Sequence, residues 1–256
     1  MNPHELMVKT NHHLIKSGKL TEAQQANIVR QLLAARNDER TKQSFYNGVK
    51  FPNNIDGDGR RMYPVFYIPP YNDGKKLKTI YNQTPKTHIL SANMYELEII
   101  RLLHLFAPDN PDVQNMVTKT LERLKTTCFG YQDDGLGECF DTALVVLRFL
   151  AATSDDTAWM QSRIDNYNSH VSEKKRPWYT LWYYWLCLSE LPFEIAEPEI
   201  LKSAVMNSEH DKTVHPVLLC SLRNCLCRFP EYAHIKNIHP YVSDKDGRLH
   251  FDMNGG

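Results

Sequence analysis

The sequence lacks a net charge, because 30 Lys and Arg residues balance 30 Asp and Glu residues in a chain of 256. A neutral protein has no long-range field that would draw it to a phosphate backbone or to an anionic membrane surface. We therefore expect neither nucleic acid nor a membrane among its partners.

The chain also lacks an uninterrupted apolar run long enough to span a bilayer. Its most apolar stretches are too short or carry charged residues, among them Glu96, Arg101, Asp141 and Arg148. Its start has no charged segment followed by an apolar core, so no secretory signal is expected. These absences predict a soluble, cytoplasmic protein with no membrane span.

A well-spaced set of metal ligands is missing as well. The six cysteines mostly lie inside apolar helical patterns, where cysteine behaves as a small hydrophobe. The densest group, Cys220, Cys225 and Cys227, fits one helix better than the ligand spacings of zinc sites. The run at 56–59 opens like a calcium loop but has no closing glutamate at the twelfth position. We expect no metal and no cofactor.

What the chain does contain is helical stretches of two kinds. Amphipathic stretches alternate with very apolar ones, and a helix that is apolar all round must be enclosed on every side. The very apolar stretches are four, at 92–107, 139–152, 177–191 and 216–227. They start roughly 40 residues apart, which is the length of an αα-hairpin repeat. We predict a mainly α protein in which an inner layer of helices is wrapped by an outer layer.

The sequence predicts a single domain, because no Pro/Gly/Ser-rich linker interrupts its helical half. Near the start, Thr21 with Gln24 three residues later has the pattern of a helix capping box. Within the domain we predict an N-terminal helical pair at 1–42, an irregular arm at 43–90, the αα-hairpin repeat core at 91–228 and an irregular C-terminal tail at 229–256.

The arm shows no sustained helical period and is punctuated by glycine and proline. Residues 62–68 and 76–81 are rich in strand formers and flank Asn72-Asp73-Gly74, so they predict a small β-hairpin insertion. Two interpretations of the arm stay open. It is a lid or partner-binding segment, or an Ω-like excursion packed by its own Tyr63, Phe66 and Tyr67.

One stretch resembles a known helical repeat. Residues 129–147 read Phe-Gly-Tyr-Gln-Asp-Asp-Gly-Leu-Gly-Glu-Cys-Phe-Asp-Thr-Ala-Leu-Val-Val-Leu, a Gly/Asp-rich turn followed by an apolar helix. This is similar to the repeat of α/α-toroid proteins such as terpenoid cyclases and protein prenyltransferase β subunits. The resemblance covers roughly 91–227. It implies a double-layer αα-hairpin repeat, here an incomplete α/α toroid or barrel because the helices are too few for six pairs.

Two features of those families are missing from the sequence. The Asp-x-Asp-Asp motif of protonation-type cyclases is absent, since Asp133-Asp134 and Asp155-Asp156 are bare pairs. The zinc-binding Asp, Cys and His set of the prenyltransferases has no counterpart that can be mapped. The resemblance therefore implies an architecture and leaves the reaction open.

If the inner helices run parallel, their N-terminal ends meet at one face, where we place the candidate site. Glu138 and Asp141 are three residues apart and share a helical face. Mutual repulsion and partial burial would raise the pKa of one carboxyl and leave the other ionised, as acid/base catalysis requires. Asp134, in the preceding turn, points to the same end. The alternative that these carboxylates only cap helix N–H groups stays open.

Residues at the same helix ends are candidates for ligand binding: Tyr95, Glu96, Trp178, Tyr179, Trp182 and His215. Aromatic rings facing a cavity suit a cationic isoprenoid intermediate or a stacked sugar ring, although aromatic stripes are also common in cores, and His215 also fits a surface histidine. Two functions stay open. One is an enzyme with an aromatic-lined pocket for an isoprenoid-like or carbohydrate-like small molecule; the other is a non-catalytic helical-repeat scaffold that binds a peptide or protein partner.

Overall fold

The computed structural model describes residues 2–17, 20–37, 63–69, 77–80, 84–85, 87–131, 140–170, 178–202, 242–245 and 248–251. Over these ranges the chain forms eight α-helices and one two-stranded sheet. The helices are α1 (Pro3–Ser17), α2 (Glu22–Ala34), α3 (His88–Phe106), α4 (Pro111–Leu124), α5 (Phe140–Thr153), α6 (Thr157–His170), α7 (Trp178–Glu190) and α8 (Phe193–Lys202); the strands are β1 (Val242–Lys245) and β2 (Arg248–Phe251). The mainly α fold class is confirmed.

The chain divides into two compact units. The first comprises Met1–Leu14 and Gly18–His170, and the second comprises Ile15–Ser17 and Val171–Gly256. The boundary near residue 170 has no glycine-rich linker. The sequence signal that marks it is the charged run at 173–176 followed by Pro177.

Helix starts in the first unit follow local capping chemistry. The capping box is confirmed, because the Thr21 hydroxyl accepts the backbone N–H of Gln24 at 3.3 Å and the Gln24 side chain accepts that of Thr21 at 2.9 Å. Asn110 caps α4, and Pro111 occupies the first helical position.

The first inner helix starts four residues before its predicted start at residue 92. Thr87 is its N-cap, with the hydroxyl accepting the backbone N–H of Leu90 at 3.2 Å. Ser91, which directly precedes the predicted start, is buried, and its hydroxyl donates to the carbonyl of Leu77 at 3.1 Å. Both residue types cap helices well, and a contact distant in sequence decides between them.

Two kinds of helix form the layers of the first unit. Every side chain from Leu90 to Leu103 in α3 and from Thr142 to Leu150 in α5 is buried. By contrast, α4 and α6 bury single stripes, made of Val113, Met116, Val117, Thr120, Arg123 and Leu124 in α4 and of Trp159, Met160, Arg163, Ile164 and Tyr167 in α6. Helix α3 packs on α2, α4 and α5, and α5 packs on α6. This contrast between enclosed and one-sided helices is what the hydrophobic pattern predicts.

Helices α3 and α5 run in the same direction. Glu98 of α3 pairs with Arg148 of α5 at 2.9 Å. Further along both helices, His104 interacts with the backbone of Ala152. Successive positions of α3 therefore meet successive positions of α5, and the two N-termini lie at the same end of the unit.

The second unit contains α7, α8 and the sheet. Helices α7 and α8 pack on each other, and the Tyr184 hydroxyl donates to Oε2 of Glu199 at 2.6 Å. Strands β1 and β2 are antiparallel, with Lys245 opposite Arg248. Two residues, Asp and Gly, therefore join the strands, and this pair is a strong hairpin signal. Both strands lie within the C-terminal tail at 229–256.

The β-hairpin predicted in the arm is not confirmed. Its described parts are the first arm segment, residues 63–69, and the second arm segment, residues 77–80, and neither forms a strand. The last predicted inner helix, at 216–227, lies outside the described residues.

Candidate functional site

The structure places the predicted site residues as follows. Asp141 lies in the first turn of α5, and Trp178, Tyr179 and Trp182 lie in the N-terminal half of α7, all with side chains outside the described part. Asp134, Glu138 and His215 lie wholly outside the described residues. Tyr95 and Glu96 are the candidates whose side chains are described.

Glu96 is an interior anchor of the arm. Because α3 begins at His88, Glu96 lies in the third turn of the helix rather than at its N-terminal end. Its side chain is completely buried. Its Oε2 accepts the backbone N–H groups of Val65, Phe66 and Tyr67 at 2.8, 2.5 and 2.9 Å. One carboxylate oxygen thus holds three consecutive amides of the first arm segment.

The second carboxylate oxygen of Glu96 binds Arg123 of α4. Nη2 of Arg123 donates to Oε1 at 3.0 Å, and Nη1 donates to Oδ1 of Asn93 at 2.7 Å. The Asn93 amide in turn donates to the carbonyl of Ile89 at 2.8 Å. Both oxygens of Glu96 are therefore engaged, and a ligand could bind either oxygen only with loss of this buried network.

Tyr95 is an interior aromatic residue with a neutral side chain. Burial raises the pKa of its phenol to about 12, so the hydroxyl stays protonated near neutrality. The ring centroid lies 6.2 Å from that of His4 on α1. The structure gives both Tyr95 and Glu96 positions inside the first unit.

The first arm segment is part of this interior. Asn37, just after α2, accepts the backbone N–H of Ile68 at 2.5 Å, and the Tyr67 hydroxyl donates to a carbonyl of α2 at 3.0 Å. Tyr63, Phe66 and Tyr67 are buried. For these residues the structure supports an excursion packed by its own aromatic side chains rather than a lid.

The second arm segment is held by its carbonyl groups. Its carbonyls at Leu77, Lys78 and Ile80 lie 3.1, 2.8 and 2.6 Å from the side chains of Ser91, His4 and His12. Side chains of α1 and α3 thus fix this segment through its backbone. The second arm segment therefore contacts helices α1 and α3.

A second buried polar network links α1, α3 and α5. Nη1 of Arg148 lies 2.9 Å from both carboxylate oxygens of Glu98 and 2.9 Å from Oδ1 of Asn11. Arg101 reaches the same amide oxygen at 3.4 Å. Charged residues inside the most apolar helices are the sequence signal for such a network, because a buried charge must be paired. In the sequence alone, these charged residues argue only against membrane spans.

The turn at 125–131 precedes the predicted carboxylates in the sequence. A Cβ at Gly130 would overlap the carbonyl oxygen of Leu124 and lie 2.6 Å from Oγ1 of Thr127. No other residue fits there without a shift of the backbone. The glycine therefore permits a tight return of the chain immediately after α4.

Helix α6 holds the end of this turn. Nε1 of Trp159 donates to the carbonyl of Gly130 at 2.8 Å, and Nη2 of Arg163 donates to the carbonyl of Tyr131 at 2.8 Å. The Tyr131 ring packs edge-on against Trp159 at 5.8 Å, and Lys125 lies over the same indole at 5.4 Å. Two consecutive carbonyls are thus fixed where the chain leaves the turn.

No protein-family model, curated protein or solved structure matches the chain. Over the described ranges, no group of three or more His, Cys, Asp or Glu side chains could hold a metal ion. No helix in the same ranges is long and apolar enough to cross a membrane. The resemblance to α/α-toroid proteins therefore depends on the sequence pattern around 129–147.

Proposed function

We propose that the chain is an enzyme of incomplete α/α-toroid architecture that uses carboxylate acid/base chemistry on an isoprenoid-like or carbohydrate-like substrate. One observation supports this most. Helices α3 and α5 run parallel and share an N-terminal end, which is the arrangement that brings first-turn residues of inner helices to one face. Asp141 lies in that first turn of α5.

The chemistry follows from two carboxyl groups at one helix end. Glu138 precedes Asp141 by three residues, so on a continued helix their side chains share a face. Like charges this close cannot both ionise easily, so one carboxyl keeps its proton while the helix dipole favours the other as an anion. The protonated group donates to a leaving oxygen or a double bond, and the ionised group accepts a proton. Asp134 is a third carboxyl close by in sequence.

Turnover of a defined panel tests the proposal. The panel contains farnesyl diphosphate, geranylgeranyl diphosphate, a series of 4-nitrophenyl glycosides and two disaccharides. We expect the wild-type chain to convert at least one member. Of Glu138→Gln and Asp141→Asn, at least one should bind that substrate normally and convert it about 10²–10⁴ times more slowly.

Glu122→Gln is the matched control, because Glu122 lies on the exposed face of α4. It should convert the substrate at the wild-type rate. Wild-type rates in both amide variants at the helix end would contradict the acid/base roles and leave the carboxylates as helix caps.

A non-catalytic scaffold is the second candidate function. The observation in its favour is that Tyr95 and Glu96 are enclosed, so α3 presents neither a free carboxylate nor an open ring from these positions. Such a scaffold would bind a peptide or protein partner across its helices. Conversion of no panel member by the wild-type chain would favour the scaffold over the enzyme.

A further inference from the structure

The backbone around residue 66 forms a concave group of hydrogen-bond donors. The chain bends at residues 65 and 66, and the N–H groups of Val65, Phe66 and Tyr67 converge on a single atom, Oε2 of Glu96. Successive N–H groups that converge in this way form a nest, which is an anion-binding concavity. The first arm segment therefore presents donors arranged for an anionic oxygen.

A cation faces this nest from α4. Nη2 of Arg123 donates to the other oxygen of Glu96, Oε1, at 3.0 Å. The Glu96 side chain is 0% exposed and that of Arg123 is 6% exposed, so the arrangement is shielded from water. Hydrogen bonds between charged groups are shorter and stronger than neutral ones. The nest and Arg123 together contact both oxygens of one planar carboxylate, which a spherical ion such as chloride cannot imitate.

We propose that residues 65–67 and Arg123 form a binding site for a small monocarboxylate, in which Glu96 is a tethered ligand that a free carboxylate can replace. Helix α3 holds the Glu96 carboxylate at the site, so its effective concentration there exceeds that of a free anion. The site therefore takes an external carboxylate only when the side chain at position 96 is shortened. This binding is independent of the proposed acid/base function.

Size-matched carboxylates test the site in the full-length chain. Glu96→Ala removes Cγ, Cδ and both carboxylate oxygens, which correspond to the heavy atoms of acetate. Glu96→Gly removes Cβ as well and so corresponds to propionate. Melting temperatures are measured near neutral pH, where both acids are ionised, in sodium acetate, propionate or chloride at equal ionic strength. Hydrogen–deuterium exchange of the amides at 65–67 reports docking of the arm directly.

For a dissociation constant of about 10 mM, acetate at about 100 mM should raise the melting temperature of Glu96→Ala by about 3–6 °C over chloride. Acetate should also slow exchange of the amides at 65–67 in this variant. Propionate should be the better ligand for Glu96→Gly. Acetamide, which has the shape of acetate without its charge, should have no effect. The matched control is Glu122→Ala, which loses an exposed carboxylate on α4 and should respond to acetate as the wild-type chain does.

Equal melting temperatures of Glu96→Ala in acetate and in chloride would overturn the proposal. A rise of the same size in Glu122→Ala would overturn it as well, because acetate would then act as a general stabilising salt. If Glu96→Ala is unfolded in chloride, the readout becomes recovery of the helical circular dichroism signal as acetate is added. Recovery that acetamide does not reproduce would support the site, and absence of recovery would contradict it.

Discussion

Replacing Glu96 by alanine should destabilise the first unit more than most single substitutions. The change removes the acceptor that three backbone amides of the first arm segment share. It also removes the ion-pair partner of Arg123. Each hydrogen bond to a charged group contributes about 1.5–3 kcal/mol, and loss of one partner of a buried ion pair costs about 3–5 kcal/mol. These contributions overlap, because the groups belong to one network, so we expect a loss of about 4–6 kcal/mol.

Urea unfolding followed by far-ultraviolet circular dichroism measures this loss. For a dependence of about 2–3 kcal/mol per molar urea, the midpoint should fall by about 2 M. Glu96→Gln retains an acceptor for the amides and should lie between wild type and Glu96→Ala. Glu122→Ala, on the exposed face of α4, should stay within about 0.5 kcal/mol of wild type. A Glu96→Ala protein within about 1 kcal/mol of wild type would refute the anchoring role.

Three further predictions concern the turn, the core and alkaline stability. Gly130→Ala should cost about 1–3 kcal/mol in a urea titration, because its Cβ meets the Leu124 carbonyl oxygen; an unchanged midpoint would show that the turn has room. Leu147 is buried in α5, so Leu147→Asp should place an unpaired charge among apolar side chains and prevent folding; a soluble variant with a cooperative melt would contradict the inner position of α5. Burial raises the pKa of Tyr95 from 10.0 to about 12, so its contribution to stability is complete below pH 10 and is lost as the pH rises to 12. Tyr95→Phe should therefore flatten the fall in unfolding free energy over this range by up to about 1.4 kcal/mol per pH unit, and an unchanged slope would contradict the raised pKa.

The layering of the first unit could be predicted because burial is a property of local composition. A helix such as α5, which is apolar on all sides, is stable only when neighbouring elements bury it on every side. Helix α4 needs to bury only one apolar stripe. Capping is equally local, and the Thr21 and Gln24 box followed from two residue types three positions apart. Both features are set by residues close together in the chain.

The role of Glu96 could not be predicted in this way, because its partners are distant in sequence. The amides of residues 65–67 and the guanidinium of Arg123 meet it only when the arm and α4 pack on α3. The same reasoning explains why the first arm segment forms no strand. The strand-forming residues of the first arm segment have their N–H groups satisfied by Glu96 and Asn37 instead of by a second strand.

The C-terminal hairpin is a different case, since its signal was present. In the sequence, Asp246-Gly247 lies between the residues of β1 and β2, and such a pair is among the strongest local hairpin signals. A signal of this kind is carried by two adjacent residues and needs no contact distant in sequence.

A crystal structure of the chain soaked with the panel compounds tests the central claim most directly, at the end of the first unit where α3 and α5 begin. The proposed enzyme predicts a cavity of about 300–1,000 Å³ at this end, with Glu138 or Asp141 facing a bound panel compound. A space filled by protein side chains, with both carboxylates capping helix N–H groups and no compound bound, would contradict it.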